Sequence, residues 1–356
     1  MVAAVLALLA AAPPRGVEAC QTCHPAVAAT YVQTAHFQAS RPAEARSILG
    51  SFAPGSNVLR TRTSGVSFTM ERRAGGFYQR GQAGGRTRSE RFDIVIGSGR
   101  RGQSYLYWRN GMLFQLPVSY FVATGGWVNS PGYPDGEVHF DRVIPPRCLE
   151  CHSTHFGWEG RFPQAKYQQD YALGLSCQKC HREGPDHATA GKLAPLSRER
   201  KIDACALCHS GLREPVRAPF SFRPGENLNR YLEPETGADQ AQPEVHGNQV
   251  GLLRGSKCFR SSPEMTCSTC HNVHREERDI GQQSGKCAQC HEAAPCKPAA
   301  QLGPRAGERC VDCHMPDQRS NVITIQTPGR RLAQLYRTHR IAVYPEAAQA
   351  VLRSLR

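Results

Sequence analysis

The sequence predicts a mainly α chain with little regular secondary structure and a small antiparallel β insertion. Three observations lead there. Cysteines recur in short clusters among Pro- and Gly-containing loops over residues 148 to 314. Between Cys23 and Cys148 there is no cysteine, and β-type residues alternate around turn signals instead. Only 40% of the 356 residues are hydrophobic, against 33 Gly and 25 Pro, so a conventional side-chain core would be thin for this length.

Taken in order, Met1 to Ala12 is a run of small apolar residues too short to span a bilayer, ending in Ala-Ala before Pro13-Pro14. It reads as the apolar region of a signal peptide, without the usual basic residues ahead of it, and it predicts export to the periplasm or another extracytoplasmic compartment. No later stretch approaches the roughly eighteen apolar residues of a transmembrane helix, so the mature chain is expected to be soluble. Residues 13–50 carry the first cysteine cluster.

Residues 51–140 read as the β-rich insertion. Val66 to Arg73 and Phe77 to Arg80 flank a Gly75-Gly76 turn. Tyr105-Leu-Tyr-Trp108 and Met112-Leu-Phe-Gln115 flank Arg109-Asn110-Gly111, and Asn-Gly between alternating apolar runs is a strong hairpin signal. From 141 to 341, short helical segments around the remaining clusters are expected, joined by loops that include a long polar connection from Gly211 to Asn248. Residues 342–356 form a final helix, with Pro345 in its first turn.

The cysteine spacing carries the chemistry. Fourteen of the sixteen cysteines fall in pairs two residues apart: Cys20/Cys23, Cys148/Cys151, Cys177/Cys180, Cys205/Cys208, Cys267/Cys270, Cys287/Cys290 and Cys310/Cys313. Each pair is followed at once by a histidine: His24, His152, His181, His209, His271, His291 and His314. Two thiols at this spacing add across the two vinyl groups of a haem, and the adjacent imidazole becomes the proximal iron ligand. A zinc ribbon or a disulfide framework would not require a histidine after every pair. The chain is therefore expected to bind seven c-type haems, whose porphyrin faces supply the apolar surface that the composition lacks.

Seven histidines remain: His36, His139, His155, His187, His246, His274 and His339, matching one distal ligand per haem. A haem with histidine on both faces has no open coordination position and suits electron transfer rather than catalysis. Among competing ligands, Met315 directly follows a proximal histidine and is poorly placed to reach the opposite face of that haem. The two cysteines outside the motifs, Cys258 and Cys296, pair most economically as a disulfide in an oxidising compartment, worth roughly 3 to 4 kcal/mol on the chain-entropy model. A cysteine ligand to one haem is the alternative.

The polypeptide carries +14, but fourteen haem propionates and the charge on each ferric centre bring the loaded protein to about +7 oxidised and near neutral reduced. The basic sequence is thus a poor argument for a nucleic-acid partner. Arginine runs such as Arg72-Arg73, Arg86 to Arg91 and Arg100-Arg101 read as a solvated face or as a docking patch for an acidic redox protein. Redox partner proteins are expected, with the chain acting alone or as the soluble piece of a membrane-bound complex.

Several segments resemble a known family. Cys177-Gln-Lys-Cys-His-Arg-Glu-Gly-Pro-Asp-His187 is similar to the CxxCHGPGxxH element of the tetrahaem cytochrome of ammonia oxidisers and its multihaem relatives. Met265-Thr-Cys-Ser-Thr-Cys-His-Asn-Val-His274, Cys310-Val-Asp-Cys-His-Met-Pro316 and Thr338-His339-Arg340-Ile341 are similar to further elements of it, and the resemblance covers most of residues 20–341. It implies a multihaem cytochrome c fold organised around stacked haems, with His187, His274 and His339 as distal ligands and His36 by position. Arg182-Glu183 stands where the family has Gly, and Cys258 where relatives often carry Met. The same superfamily includes nitrite reductases and hydroxylamine oxidoreductases, so the resemblance implies an alternative: an oxidoreductase acting on a small nitrogen or sulfur compound at one five-coordinate haem. The CxxCK motif that marks the nitrite reductase site is absent from the sequence, and no catalytic residue is assigned.

Overall fold

The computed structural model describes residues 16–181, 192–235, 237, 241–244, 246–291 and 298–354. The expected signal segment at 1–12 lies outside them. The strands are β1 Ser40–Pro42, β2 Val58–Arg60, β3 Ser67–Arg73, β4 Gly76–Ala83, β5 Arg86–Arg91, β6 Ile94–Ile96, β7 Gly102–Arg109, β8 Met112–Gln115, β9 Val118–Phe121, β10 Gly126–Asn129, β11 Arg142–Val143, β12 Ser153–Glu159, β13 Lys166–Leu173, β14 Asp317–Thr327 and β15 Arg330–Arg337.

Helix and strand each account for 28% of the chain, and the strands form several antiparallel sheets, so the expectation of a mainly α fold is corrected. The physical reason lies at both ends of the scale. A CxxCH motif needs only one helical turn to bring two sulfurs and an imidazole together, so most motif helices stop after one or two turns. The strands, meanwhile, continue past residue 140. The hairpins β12–β13 and β14–β15 sit in the region expected to hold little regular structure.

A four-stranded sheet runs β2-β3-β4-β5, and a larger sheet runs β1-β6-β7-β8-β11 with β9 and β10 alongside. Their tight turns follow from residue choice. Arg109 pairs with Met112 across Asn110 (φ 52°) and Gly111 (φ 76°), the left-handed pair that a two-residue hairpin of the right twist requires. The two sheets share one core, with Phe68 and Met70 from β3 meeting Tyr105 and Tyr107 from β7, Val118, Trp127 and Phe140.

The other face of the larger sheet packs toward the cysteine motifs. Ile94, Leu106 and Leu113 cluster with Ile144, Phe156, Tyr167 and Leu149, which lies inside Cys148-Leu-Glu-Cys-His152. Ser40 adds a polar link by donating from Oγ to the His152 carbonyl at 2.8 Å. A third cluster surrounds the helix Arg198–His209, where Ile202, Ala206 and Leu207 meet Leu228, Leu232, Val250 and Phe259. The helix Pro345–Arg353 lays Val351 against Leu302 and Cys313.

Candidate haem-binding sites

Several of the seven motifs fold as the same local turn. In Cys20–His24, Cys177–His181, Cys267–His271 and Cys287–His291, the histidine amide donates to the first cysteine's carbonyl at 2.8 to 3.0 Å. This i to i+4 closure puts both sulfurs and the imidazole on one face, and four further histidine rings are held in a consistent posture. His209 places Nδ1 3.1 Å from Gln249 Oε1, His314 Nδ1 lies 2.8 Å from the Ala342 carbonyl, and His339 Nδ1 lies 3.3 Å from the Arg337 carbonyl. His246 presents Nδ1 to Glu244 Oε2 at 2.9 Å. With Nδ1 engaged by an acceptor, Nε2 carries the free lone pair, the usual second-shell arrangement of a metal-bound histidine.

The histidines also come together in pairs. The ring centroids of His36 and His209 are 6.0 Å apart, those of His181 and His274 5.9 Å, and those of His271 and His339 6.1 Å. Each pair joins a CxxCH histidine to one of the surplus histidines. Metal–imidazole bonds of about 2 Å place the two ring centroids about 6 Å apart across a single ion, so all three pairs fit an iron with two axial imidazoles. Desolvation, with His209 and Arg100 nearby, lowers His36 to about 4; desolvation and His271 lower His339 to about 4. Burial also lowers His152 and His209. All four are thus held in the neutral form that ligates metal.

The remaining candidates are placed less uniformly. His246 lies within electrostatic reach of His152. His155, on β12, turns Nε2 to Asp170 at 3.3 Å and makes a T-shaped contact with the Phe220 ring at 5.9 Å. His139 is exposed, with its ring 6.0 Å from Tyr133 in the β region. His187 and Cys296 lie outside the described residues. Cys258 sits near Cys290, and burial raises its thiol.

Cysteines of different motifs meet. Side-chain hydrogen bonds join Cys20 to Cys177, Cys151 to Cys208, Cys205 to Cys267 and Cys287 to Cys310. Cys180 lies within electrostatic reach of Cys205, and Cys270 of Cys287. Numbered along the chain, the motifs therefore adjoin in the order one, three, four, five, six and seven, with the second against the fourth. The hydrogen bond from Cys208, assisted by Arg147, brings Cys151 down to about 7.

Sequence reasoning missed Arg147, Glu150, Glu244 and Gln249, which surround the motif residues. Glu244 precedes His246 by two residues and Glu150 follows Arg147 by three, so both were open to local inspection, whereas the burial of Arg147 and the contact of Gln249 with His209 depend on tertiary packing.

Two sequence comparisons agree with the motif chemistry. A family model described as cytochrome c554 and c-prime matches residues 135–182, which contain the second and third motifs. The chain is 27% identical over 164 residues to the C-type polyheme cytochrome OmcC of Geobacter sulfurreducens, a match covering 37% of this chain and 21% of that protein. The undecaheme cytochrome from the S-layer of Carboxydothermus ferrireducens aligns over 96% of this chain and 60% of its own, with a TM-score of 0.44 and 15% identity. By its motifs and the two sequence matches, the chain is a multihaem c-type cytochrome. The matched stretch spans about a fifth of the length of the OmcC relative. Among the described residues, no helix is long and apolar enough to cross a membrane.

Proposed function

We propose that the chain is an extracytoplasmic heptahaem cytochrome that passes electrons along a line of bis-histidine haems between redox partner proteins. The observation that carries this reading is the set of three imidazole pairs about 6 Å apart, each joining a CxxCH histidine to a surplus histidine. The residues that would hold the haems are the seven cysteine pairs with their adjacent histidines. His36 would serve as distal partner of His209, His274 of His181 and His339 of His271, while proximity favours His246 for His152. When bound, each haem supplies a one-electron ferric–ferrous couple.

The polypeptide's part is to hold neutral imidazoles on both faces and to keep the motifs in contact. Contacts between cysteines of successive motifs support a continuous path, because thioether-bearing edges would then lie side by side. A potentiometric titration of the full haem-loaded chain tests the reading. Seven haems in varied burial and hydrogen-bonding environments should titrate over a broad potential range. A single one-electron wave would refute it.

A further inference from the structure

Arg147 directly precedes Cys148, and Glu150 lies between Cys148 and Cys151. Their side chains are only 8% and 3% exposed, and Arg147 Nη1 donates to Glu150 Oε2 at 2.9 Å. The same Nη1 lies 3.2 Å from Cys151 Sγ. Nη2 donates at 2.7 Å to the carbonyl of Leu207, which sits inside the fourth motif, Cys205-Ala-Leu-Cys-His209. One buried cation thus bridges the CxxC loops of two motifs whose cysteines, Cys151 and Cys208, are themselves hydrogen-bonded.

Glu150 reaches the opposite way. Its Oε1 accepts from the Phe220 amide at 2.6 Å, and Phe220 holds φ at 70°, a left-handed conformation unfavourable for a bulky residue. Lys179, inside the third motif, stands 4.9 Å over the Phe220 ring. The pair is therefore a buried charge couple whose guanidinium lies against a haem-bearing sulfur and whose carboxylate is bonded to the same Nη1, so both charges act on Cys151. A buried ion pair is a weak source of stability because desolvation offsets its attraction, but in a low-dielectric site it acts strongly on neighbouring charge.

We infer that the Arg147–Glu150 pair is a potential-setting and positioning element for the haems of the second and fourth motifs. The inference rests on the electron-transfer reading above. An oxidised haem carries one more positive charge than a reduced one, so a fixed guanidinium beside it disfavours oxidation and raises its potential. Glu150, bonded to the same guanidinium, opposes that effect.

The test is a potentiometric titration of the full haem-loaded chain as wild type, Arg147→Gln and Glu150→Gln, with haem counted by pyridine haemochrome. Gln at 147 keeps a donor, and Gln at 150 keeps an acceptor for the Phe220 amide. The expected result is a downward shift of two components in Arg147→Gln and an upward shift of the same two in Glu150→Gln, the other components staying in place. Should Arg147→Gln fail to load haem, Arg147→Lys, which retains the charge, is expected to keep wild-type potentials, and Glu150→Gln still reads the sign. Shifts of the same direction in Gln variants of both residues, or in Glu150→Gln a downward shift or a titration superimposed on wild type, would overturn the inference. The wild-type haem count and the breadth of its titration are read on the same samples, so this failure is distinguishable from failure of the electron-transfer reading.

Discussion

Replacing His274 with alanine tests the imidazole pairing at a site where little else changes. The ring is solvent-exposed in the polypeptide, so its loss opens no core cavity, and the bond from Thr30 Oγ1 at 2.9 Å ends on the His274 carbonyl, which alanine retains. What is removed is the imidazole 5.9 Å from the proximal His181. With seven motifs in the chain, the substitution should convert one iron in seven from low spin to high spin and leave the haem count unchanged. The assay is low-temperature EPR of the oxidised protein, with spin quantified against total haem. Added imidazole should restore the low-spin signal by occupying the vacated position. A variant in which every haem stays low spin without added imidazole would refute the pairing, as would a variant in which several haems change at once.

Three further outcomes are expected. The near-perpendicular rings of His36 and His209, at 74°, should give a more anisotropic low-spin EPR signal than the near-parallel rings of His181 and His274, at 18°, and His36→Ala should remove the more anisotropic component. Leu149→Ala, at a residue 1% exposed that ties the second motif to the larger sheet, should cost about 2–5 kcal/mol in a denaturant titration. Hydrogen bonds from Arg88 and then Arg109 hold the Asp141 carboxyl below its usual range. Because the folded value is the lower one, the stability it contributes is fully present above the ordinary carboxylate pKa and is lost as pH falls through the folded value. Melting temperature followed against pH should therefore drop less steeply in the acid range for Asp141→Asn than for wild type.

The chemistry of this chain was legible in the sequence because covalent haem attachment dictates residue identity, order and spacing together. The Asn110-Gly111 turn was legible for a similar reason: few residue pairs adopt two successive left-handed conformations. The balance of helix and strand was not. In β14, Asp317–Thr327, only part of the strand alternates, and its partner begins just after Gly329 (φ 76°), so the hairpin signal is weak beside the CxxCH motifs around it. Counting histidines gave seven candidates, but which of them meets which motif depends on contacts between residues as distant as His36 and His209. Arg147 could not be singled out, since in a chain with 44 Lys and Arg nothing local separates a buried guanidinium from a solvated one.

The central claim is that seven covalently attached haems, each held by two histidines, form the electron path. Pyridine haemochrome quantification combined with an EPR spin count on the oxidised full chain tests it most directly. The account predicts seven haems per chain, all low spin. A count below seven, or a high-spin iron in the wild-type protein, would contradict it.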